Sequence, residues 1–302
     1  MGKDFQPFIS IITLNYNQTS VTCDFLESTK SLTYRNFEIL VCDMDSKIDP
    51  TEEISKGQYP QTTLLLAKQN LGFAGGNNWG MKQAKGDFIF IVNNDTEVTP
   101  DLLDKLLEPF QQDPTIGVTC PKIKYFDQPD TIQYAGFEKM NPITGRTDTI
   151  GNYEKDLGQH DTPFSTFGAH GCAMMVKREV IEKVGMFPEL FFLYYEEWDW
   201  STRIRKAGYK IWYTPTATIY HKESMSVGKD NPMKVYYHTR NRILYMRRNG
   251  NFFERVCFAA FFTAFTFPKN TLTYLLKGQK EHLRNFLKGT FWNLKNSSYS
   301  KV

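Results

Sequence analysis

Short, continuous apolar runs alternate with helix-like segments over the first 125 residues of the chain. Each run combines apolar and β-branched residues between polar or glycine-rich stretches, which is typical of a strand buried on both faces. The predicted strands cover residues 8–16, 37–43, 62–67, 87–93 and 116–123, and the predicted helices cover residues 19–31, 75–85 and 100–111. Thr19 or Ser20 is the expected N-cap of the first helix, and Thr99 that of the third. The alternation predicts an α/β fold with a mostly parallel, doubly wound, twisted sheet and right-handed crossovers.

The pattern is less regular in the second half of the chain. Residues 127–164 are polar and rich in Gly, Pro and Asp, which predicts long loops or a small insertion. A strand at residues 166–176, helices at 177–185 and 196–208, and a strand at 209–215 are predicted next. A basic helix over residues 233–250 begins a C-terminal extension, so we predict a domain boundary between residues 232 and 233.

Composition and charge indicate a globular protein with a basic C-terminal part. Of the 302 residues, 41% are hydrophobic and 23% are charged, which is ordinary for a folded domain. The net charge of +3 divides into +11 for residues 233–302 and −8 for the rest, which favours contact of the extension with a polyanion. The five cysteines form no CxxC pair, which favours a reduced, cytoplasmic compartment. Residues 1–7 do not resemble a signal peptide, and no apolar run reaches the ~20 residues of a spanning helix.

Polar side chains follow three of the predicted strands, at the edge where a parallel sheet binds ligands. The first strand ends in Thr13, Asn15 and Asn17, the second in Asp43 and Asp45, and the fourth in Asn93, Asn94 and Asp95. A single aspartate with amide neighbours can hold a divalent cation when a phosphate supplies further oxygen ligands. The alternative is a simple turn, since Asn-Asn-Asp is favourable turn chemistry.

A glycine-rich segment, QNLGFAGGNNWG, follows the third strand. Its four glycines allow a close approach of the backbone to a ligand, and a helix N-terminus there favours phosphate. The segment matches neither the GxxxxGK[ST] loop nor the GxGxxG fingerprint. The alternative is a glycine-rich turn that only leads into a helix.

A second candidate site is acidic and lies at the start of a predicted helix. Glu196 and Glu197 follow a run of aromatic and apolar residues, where a carboxylate has a raised pKa and can act as a general base. The alternative is an acidic first turn that suits the helix dipole, with Asp199 and Arg203 paired on one face. His221 follows another strand-like run, and a lone histidine is more often structural than a metal ligand.

Five segments in this order resemble the family 2 glycosyltransferases with the GT-A fold, in the subgroup that contains bacterial rhamnosyltransferases. They are SIITLNYN, VCDMDS, QNLGFAGGNNWGMKQAKGDFIFIVNNDTEV, GAHGCAMMVKREVIEKVGMFPELFFLYYEEWDWSTRIRKAGYKI and ATIYHKES. The resemblance implies a GT-A catalytic domain over residues 1–232. Its nucleotide-sugar half would cover about residues 1–125, and its acceptor half about residues 126–232.

The resemblance also implies a role for each matching residue. The donor-binding residues would be Thr13, Asn15, Asp43, Asn70, Gly75, Gly76, Asn77, Asn93, Asn94 and Asp95. Asp95 matches the last acidic position of a DXD-type motif that binds Mn²⁺ or Mg²⁺ on the donor diphosphate, and His221 would complete that metal site. His170, Gly171 and Trp198 match the acceptor side. Glu196 and Glu197 stand where the family has Glu-Asp, whose second residue is the catalytic base.

The implied reaction is an inverting, metal-dependent sugar transfer from a nucleotide sugar, with dTDP-rhamnose favoured. The acceptor would be a glycan or lipid-linked hydroxyl in bacterial surface polysaccharide synthesis. Glu197 replaces the expected Asp and is one methylene longer, so Asp199 remains an alternative base. A function of another class is a non-catalytic subunit that binds a sugar or nucleotide and anchors a partner at the membrane.

The C-terminal extension predicts contact with a membrane surface. Residues 256–267 are mostly apolar and stop at Pro268, which is too short to span a bilayer and suits an interfacial helix. Apolar positions then recur at helical spacing among basic residues, as a helix on an anionic leaflet requires. These positions are Leu283, Phe286, Leu287, Phe291 and Leu294. The chain would then be peripheral on the inner face of the cell membrane. The alternatives are packing on the enzyme core or in a homodimer; nucleic acid is disfavoured because no binding motif accompanies the charge.

Overall fold

The computed structural model describes residues 5–59, 61–222 and 231–299. Within these ranges the chain forms a ten-stranded sheet flanked by helices. Glu223 and Ser224, the end of the fifth segment of the resemblance, lie outside the described residues.

The sheet confirms the predicted α/β fold. Its strands are β1 (Ile9–Asn15), β2 (Phe37–Asp43), β3 (Thr62–Leu66), β4 (Phe88–Val92), β5 (Thr96–Val98), β6 (Ile116–Tyr125), β7 (Gln128–Tyr134), β8 (Phe164–Thr166), β9 (Ala173–Lys177) and β10 (Lys210–His221). The order is β3-β2-β1-β4-β9-β6-β10-β5, with β7 paired to β6 and β8 to β10. Only β9 and β5 run against the other described strands of this order, so the sheet is mostly parallel.

The three predicted helices of the first half are found within three residues of their predicted ends, and a short helix at Thr51–Lys56 is not among the predicted elements. The helices are α1 (Thr19–Thr29), α2 (Thr51–Lys56), α3 (Gly72–Gln83), α4 (Leu102–Gln112), α5 (Arg178–Val184), α6 (Glu196–Lys206), α7 (Pro232–Asn249), α8 (Phe252–Phe261), α9 (Phe267–Leu276) and α10 (Lys280–Lys295). No side chain caps α1, so the predicted cap at Thr19 or Ser20 is wrong. The predicted Thr99 cap is also wrong, because the Thr99 hydroxyl donates to the Thr218 carbonyl instead.

The middle of the chain has more strands than predicted. The predicted strand at residues 166–176 is divided into β8 and β9, with a loop between them. The predicted loop region contains β7, which pairs with β6. Strand β10 continues to His221, well past the predicted end at residue 215. A register shift between Thr214 and Thr218 interrupts the pairing of β10 with β6, and this irregularity hides the strand in the sequence pattern.

The C-terminal helices pack partly on the rest of the chain. Pro268 does not end the apolar helix, because it lies in the first turn of α9, where its missing N–H is tolerated. A π-helical turn over Phe262–Thr266 connects α8 to α9. Gly289 of α10 lies so close to α7 that an added Cβ would be 2.7 Å from the Tyr236 carbonyl oxygen. Among the described residues, no helix combines the length and apolarity that crossing a membrane requires.

Candidate active site

The sheet brings Asp95 and His221 together. Asp95 lies in the turn between β4 and β5, and β5 pairs antiparallel with the end of β10, where His221 is opposite Thr96. His221 Nε2 is 3.1 Å from Asp95 Oδ1, and both residues are buried. The turn interpretation and the ligand interpretation of Asn-Asn-Asp are therefore compatible: the turn aims Asp95 at His221.

The two side chains fit a divalent cation. Asp95 Oδ1 is buried and, apart from the 3.1 Å approach of His221 Nε2, has no hydrogen-bond partner among the described residues. Neighbouring ligands in an octahedral shell with bonds of ~2.1 Å are ~3.0 Å apart, close to the observed 3.1 Å between Oδ1 and Nε2. Gln133 of β7 accepts a hydrogen bond from His221 Nδ1 at 2.8 Å and so keeps Nε2 directed at Asp95. Gln133 is not among the sequence candidates, because β7 lies in a predicted loop region.

The protonation of His221 depends on opposing effects. Burial lowers the pKa of His221, but Cys172 and Asp95 outweigh it and raise that pKa well above its ordinary value. A cation that binds here would replace the proton at Nε2, since a histidine ligand must be deprotonated.

The ends of β1 and β2 and the turn after β4 form one hydrogen-bonded cluster. Asn15 Nδ2 donates to Asp43 Oδ1, and Asn15 Oδ1 accepts from Thr22 Oγ1, both at 2.7 Å. Asn94 Nδ2 donates to the same threonine hydroxyl at 2.8 Å. Asn15 and Asp43 are buried and bound to each other, so they position this edge, and their direct contact with a donor stays a prediction. Thr13 Oγ1 is fully buried and has no hydrogen-bond partner among the described residues, and its contact with a donor also stays a prediction.

The glycine-rich segment packs against protein. The N–H groups of Phe73 and Ala74 donate to the Phe192 carbonyl at 2.7 and 3.3 Å, so the predicted phosphate site at this helix N-terminus is wrong. A Cβ on Gly76 would lie 2.8 Å from Met44 Sδ, so this glycine allows close packing of α3 on the sheet.

The remaining donor candidates have local contacts. Asn70 Oδ1 accepts from Gly72 N at 2.8 Å, and Asn77 Nδ2 donates to the Phe73 carbonyl at 2.9 Å. A Cβ on Gly75 would lie 3.0 Å from Leu71 Cβ. Asn93 donates its backbone N–H to the Cys172 carbonyl at 2.9 Å. Contacts of these residues with a donor stay predictions.

Glu196 and Glu197 begin α6 in surroundings that favour the neutral carboxyl. One oxygen of each, Oε2, is buried and has no hydrogen-bond partner in the part of the chain that the structure describes. Burial raises the pKa of Glu197 to about 7, and burial together with Glu197 raises the pKa of Glu196 well above its ordinary value. Glu197 also lines a cavity of about 530 Å³. A carboxyl group that titrates near neutrality at a cavity wall is suited to general-base catalysis.

A strained turn holds this carboxyl pair. Three residues before α6 have positive φ, namely Phe192 (+64°), Tyr194 (+67°) and Tyr195 (+73°). The left-handed region costs a residue with a side chain ~1–2 kcal/mol, so the turn needs support from its neighbours. Asn241 of α7 provides it: its Nδ2 donates to the carbonyls of Phe191, Leu193 and Tyr194 at 3.0, 2.7 and 2.8 Å.

Asp199 is already occupied by basic partners. Its Oδ1 accepts from Arg248 Nε at 2.7 Å and from Asn249 Nδ2 at 2.8 Å, and its Oδ2 accepts from Arg203 Nε at 3.0 Å. Burial raises the pKa of Asp199, but these partners outweigh it and bring the pKa below its ordinary value. Because both oxygens are bound, the geometry favours Glu197 over Asp199 as the base.

The loop between β8 and β9 connects the Asp95–His221 pair to α6. His170 Nδ1 accepts from Cys172 N at 3.1 Å, and its ring stacks on Phe137 with centroids 5.7 Å apart. Phe137 in turn packs against Trp198 at 4.8 Å, beside Glu197. Burial, with a contribution from His221, lowers the pKa of His170 to about 3, so its ring is neutral.

Of the acceptor-side candidates, Trp198 lines the cavity beside Glu197, and His170 reaches Trp198 only through the Phe137 ring. Gly171 completes the loop, and a Cβ there would be 3.5 Å from the Phe73 ring, an ordinary contact. Contact of His170, Gly171 or Trp198 with an acceptor stays a prediction.

Known proteins with similar sequences include sugar transferases. The N-acetylglucosaminyl-diphospho-decaprenol L-rhamnosyltransferase of Mycobacterium tuberculosis is 24% identical over 259 residues, which are 79% of this chain and 83% of that protein. The O-antigen biosynthesis protein RfbC of Myxococcus xanthus is 26% identical over 73% of this chain and 18% of its own length.

Two solved structures share the fold. The mannosyltransferase PcManGT from Pyrobaculum calidifontis, in complex with GDP-Man and Mn²⁺, matches with a TM-score of 0.61 at 15% identity, over 96% of this chain and 88% of that one. TarS 1–349 of S. aureus, in complex with UDP-GlcNAc, matches with a TM-score of 0.57 at 17% identity, over 94% of this chain and 81% of that one. The model of the family described as "Glycosyl transferase family 2" matches residues 10–185, more than half of the sequence. The chain therefore belongs to glycosyltransferase family 2.

Proposed function

We propose that the chain is an inverting glycosyltransferase with Glu197 as its general base. The observation that carries this proposal is the state of Glu197, a carboxyl group with an unpaired oxygen and a pKa of about 7 at a cavity wall. The Asp95–His221 pair would hold the donor diphosphate end of the site, and the loop that contains His170 joins the two parts.

In the proposed reaction, Glu197 accepts the proton of the acceptor hydroxyl as that oxygen attacks the anomeric carbon of the donor. The bond between this carbon and the diphosphate oxygen breaks, and the nucleoside diphosphate leaves with the bonding electrons. One displacement of this kind inverts the anomeric carbon. A Mn²⁺ or Mg²⁺ ion held by Asp95 and His221 would neutralise charge on the leaving diphosphate.

The proposed donor is dTDP-rhamnose, and the proposed acceptor is a hydroxyl of a lipid-linked glycan in bacterial surface polysaccharide synthesis. The name of the mycobacterial relative supports both choices, because it specifies rhamnosyl transfer and a diphospho-decaprenol. The lipid-linked acceptor would bring the enzyme to the cytoplasmic face of the membrane.

Exposed apolar side chains on α8 and α9 support a peripheral membrane location. Seven side chains between residues 252 and 276 are at least half exposed: Phe252, Phe253, Val256, Phe265, Leu272, Leu275 and Leu276. Lys269 and Lys277 are exposed in the same segment. Apolar side chains beside lysines suit the headgroup region of an anionic leaflet.

Release of nucleoside diphosphate tests the catalytic proposal. A panel of dTDP-rhamnose, UDP-GlcNAc and GDP-mannose is incubated with the full chain, with Mn²⁺ or with EDTA. We expect turnover of one donor that is lost with EDTA, in Asp95→Ala and in Glu197→Gln. Unchanged turnover in Glu197→Gln with loss in Asp199→Asn would make Asp199 the base. Donor binding without turnover under every condition, including added lipid-linked acceptor, would favour the non-catalytic binding subunit.

Liposome sedimentation tests the membrane proposal. The double variant Phe253→Ser, Leu276→Ser is expected to lose binding to anionic vesicles. Ile48→Ser is the matched control, because Ile48 is equally exposed, at 81%, on a loop outside the extension. Equal sedimentation of all three proteins would reject the membrane surface.

A further inference from the structure

The cavity beside Glu197 has an unusual charge. Its wall includes the three basic side chains of Arg146, Lys234 and Arg242, and Glu197 is the only acidic residue among its described lining. His238 also lines it, but burial, with Lys234 and Arg146, lowers the pKa of His238 to about 4, so this ring is neutral. The cavity is therefore positively charged whether Glu197 is ionised or not.

Arg242 is the most deeply buried of the three basic side chains in the wall. It is only 6% exposed, its Nε donates to the Thr144 carbonyl at 2.6 Å, and its guanidinium lies over the rings of Phe258 and Phe262. None of the described residues gives it a carboxylate partner. A buried charge without a counter-charge is costly, and an anion in the cavity would offset that cost.

The same cavity reaches the apolar extension. Phe262, Tyr274 and Phe286 in its wall belong to the α8–α10 region, whose outer side carries the exposed apolar side chains of residues 252–276. A ligand can therefore place an anionic group near Arg242 and an apolar chain toward these helices, with its sugar at Glu197.

We propose that this cavity binds the phosphate or diphosphate group of an acceptor carried on an apolar chain, through Arg242 and Arg146. This inference rests on the proposed function, since it specifies the acceptor of the same site. The two arginines would set the distance from the lipid phosphate to the hydroxyl that Glu197 deprotonates. Arg146 is exposed at the surface of the cavity, where it can meet the phosphate before the more deeply buried Arg242 does.

Binding of farnesyl diphosphate to the full chain tests the proposal. Farnesyl diphosphate is titrated into the full chain in a calorimeter, in the presence of EDTA. Inorganic pyrophosphate and farnesol, which represent its anionic and apolar halves, are titrated separately for comparison. We expect farnesyl diphosphate to bind more tightly than either half. Arg242→Gln should weaken binding ~30-fold or more, since it removes a buried charge from an ion pair. Arg242→Lys should restore part of the affinity, and Arg146→Gln should weaken binding ~3-fold, as expected of a more exposed pair.

Matched variants locate the probe. Arg35→Gln removes an exposed arginine before β2 and is expected to leave the affinity unchanged. Asp95→Ala is also expected to leave it unchanged, and a loss there would place the probe at the donor edge and overturn the proposal. Unchanged affinity in both Arg242→Gln and Arg146→Gln would overturn it as well. Pyrophosphate that binds as tightly as farnesyl diphosphate would exclude the apolar chain and indicate a soluble anionic acceptor.

The wild-type chain separates this inference from the proposed function. If the wild-type chain turns over a donor, but its binding of farnesyl diphosphate does not depend on Arg242 or Arg146, the phosphate subsite is rejected and the transferase proposal is kept. Arginine-dependent binding without turnover of any donor would keep the subsite and remove the catalytic proposal.

Discussion

Asn241→Ala is expected to destabilise the protein and to slow sugar transfer, because Asn241 supports the turn that precedes Glu197. The Asn241 side chain is fully buried. Its Nδ2 binds three carbonyls of the turn, and its Oδ1 accepts from Arg240 Nε at 2.7 Å. Alanine preserves the helix and removes every one of these hydrogen bonds.

The expected loss of unfolding free energy is about 3 kcal/mol. Arg240 Nη2 also donates to the Phe191 carbonyl, so the substitution leaves two carbonyls, those of Leu193 and Tyr194, without their donor. These two part-buried carbonyls, and the buried Arg240 Nε that loses its acceptor, cost ~1.2 kcal/mol each when left unpaired. The better helix propensity of alanine returns ~0.5 kcal/mol.

The effect on catalysis should fall on kcat. Without the Asn241 hydrogen bonds, the turn before α6 can move away from its positive φ angles and shift Glu197. A shift of ~1 Å can cost ~10²-fold in rate. The KM for the donor should change little, because Asp95 and His221 lie on other elements.

Urea unfolding followed by tryptophan fluorescence measures the stability loss, and nucleoside diphosphate release measures kcat. Asn285→Ala is the control, because Asn285 on α10 donates only to the Glu281 carbonyl of its own helix. We expect it to stay within ~0.5 kcal/mol of the wild type. A loss below ~1 kcal/mol in Asn241→Ala, or an equal loss in the control, would refute the supporting role of Asn241.

Three further predictions concern the same site. Gly72→Ala should cost more unfolding free energy than Gly278→Ala in urea titrations: both glycines have positive φ, but only at Gly72 does a Cβ collide, 2.5 Å from a ring carbon. Gln133→Ala should weaken Mn²⁺ binding ~10-fold or more in calorimetry with nucleoside diphosphate, because it removes the acceptor that orients His221, whereas the exposed Gln128→Ala should not. The transfer rate should rise with pH through about 7 as Glu197 ionises. The raised pKa of Glu197 also stabilises the fold: this contribution to the free energy of unfolding is complete below the pKa of the carboxyl in the unfolded chain and is lost as pH rises through about 7. A transfer rate and an unfolding free energy that both stay constant with pH would contradict the assignment.

The bounds of strands and helices could be predicted closely where the pattern of apolar and polar residues is uninterrupted. The strand at residues 37–43 has the predicted bounds, because its apolar run is bordered by polar residues on both sides. The basic helix predicted at residues 233–250 is found at Pro232–Asn249, since Pro232 and Gly250 mark its two ends.

The contacts that build the site could not be predicted from local pattern. The Asp95–His221 pair depends on β5, which has three residues and no periodicity, and on the irregular strand β10. The role of Asn241 has no sequence signal, because an asparagine among arginines on a basic helix suggests solvent exposure. Only the tertiary fold, which buries the polar side of α7 against the turn before α6, reveals it.

The C-terminal extension also packs on the elements that hold the candidate site, and this limits how the proposed membrane contact can be tested. Asn293 of α10 donates to the Arg240 carbonyl at 2.9 Å, and Arg248 binds both the Ser298 carbonyl and Asp199 of the acidic helix. A chain that ends near residue 250 would lose the contacts made by Asn293 and Ser298, so its failure to bind liposomes would not separate a lost membrane surface from a disturbed active site. Substitutions of the exposed side chains keep α10 in place. The same connections imply that a membrane-bound extension and the Glu197 helix form one packed unit, so the acceptor lipid would meet the base without a hinge between them.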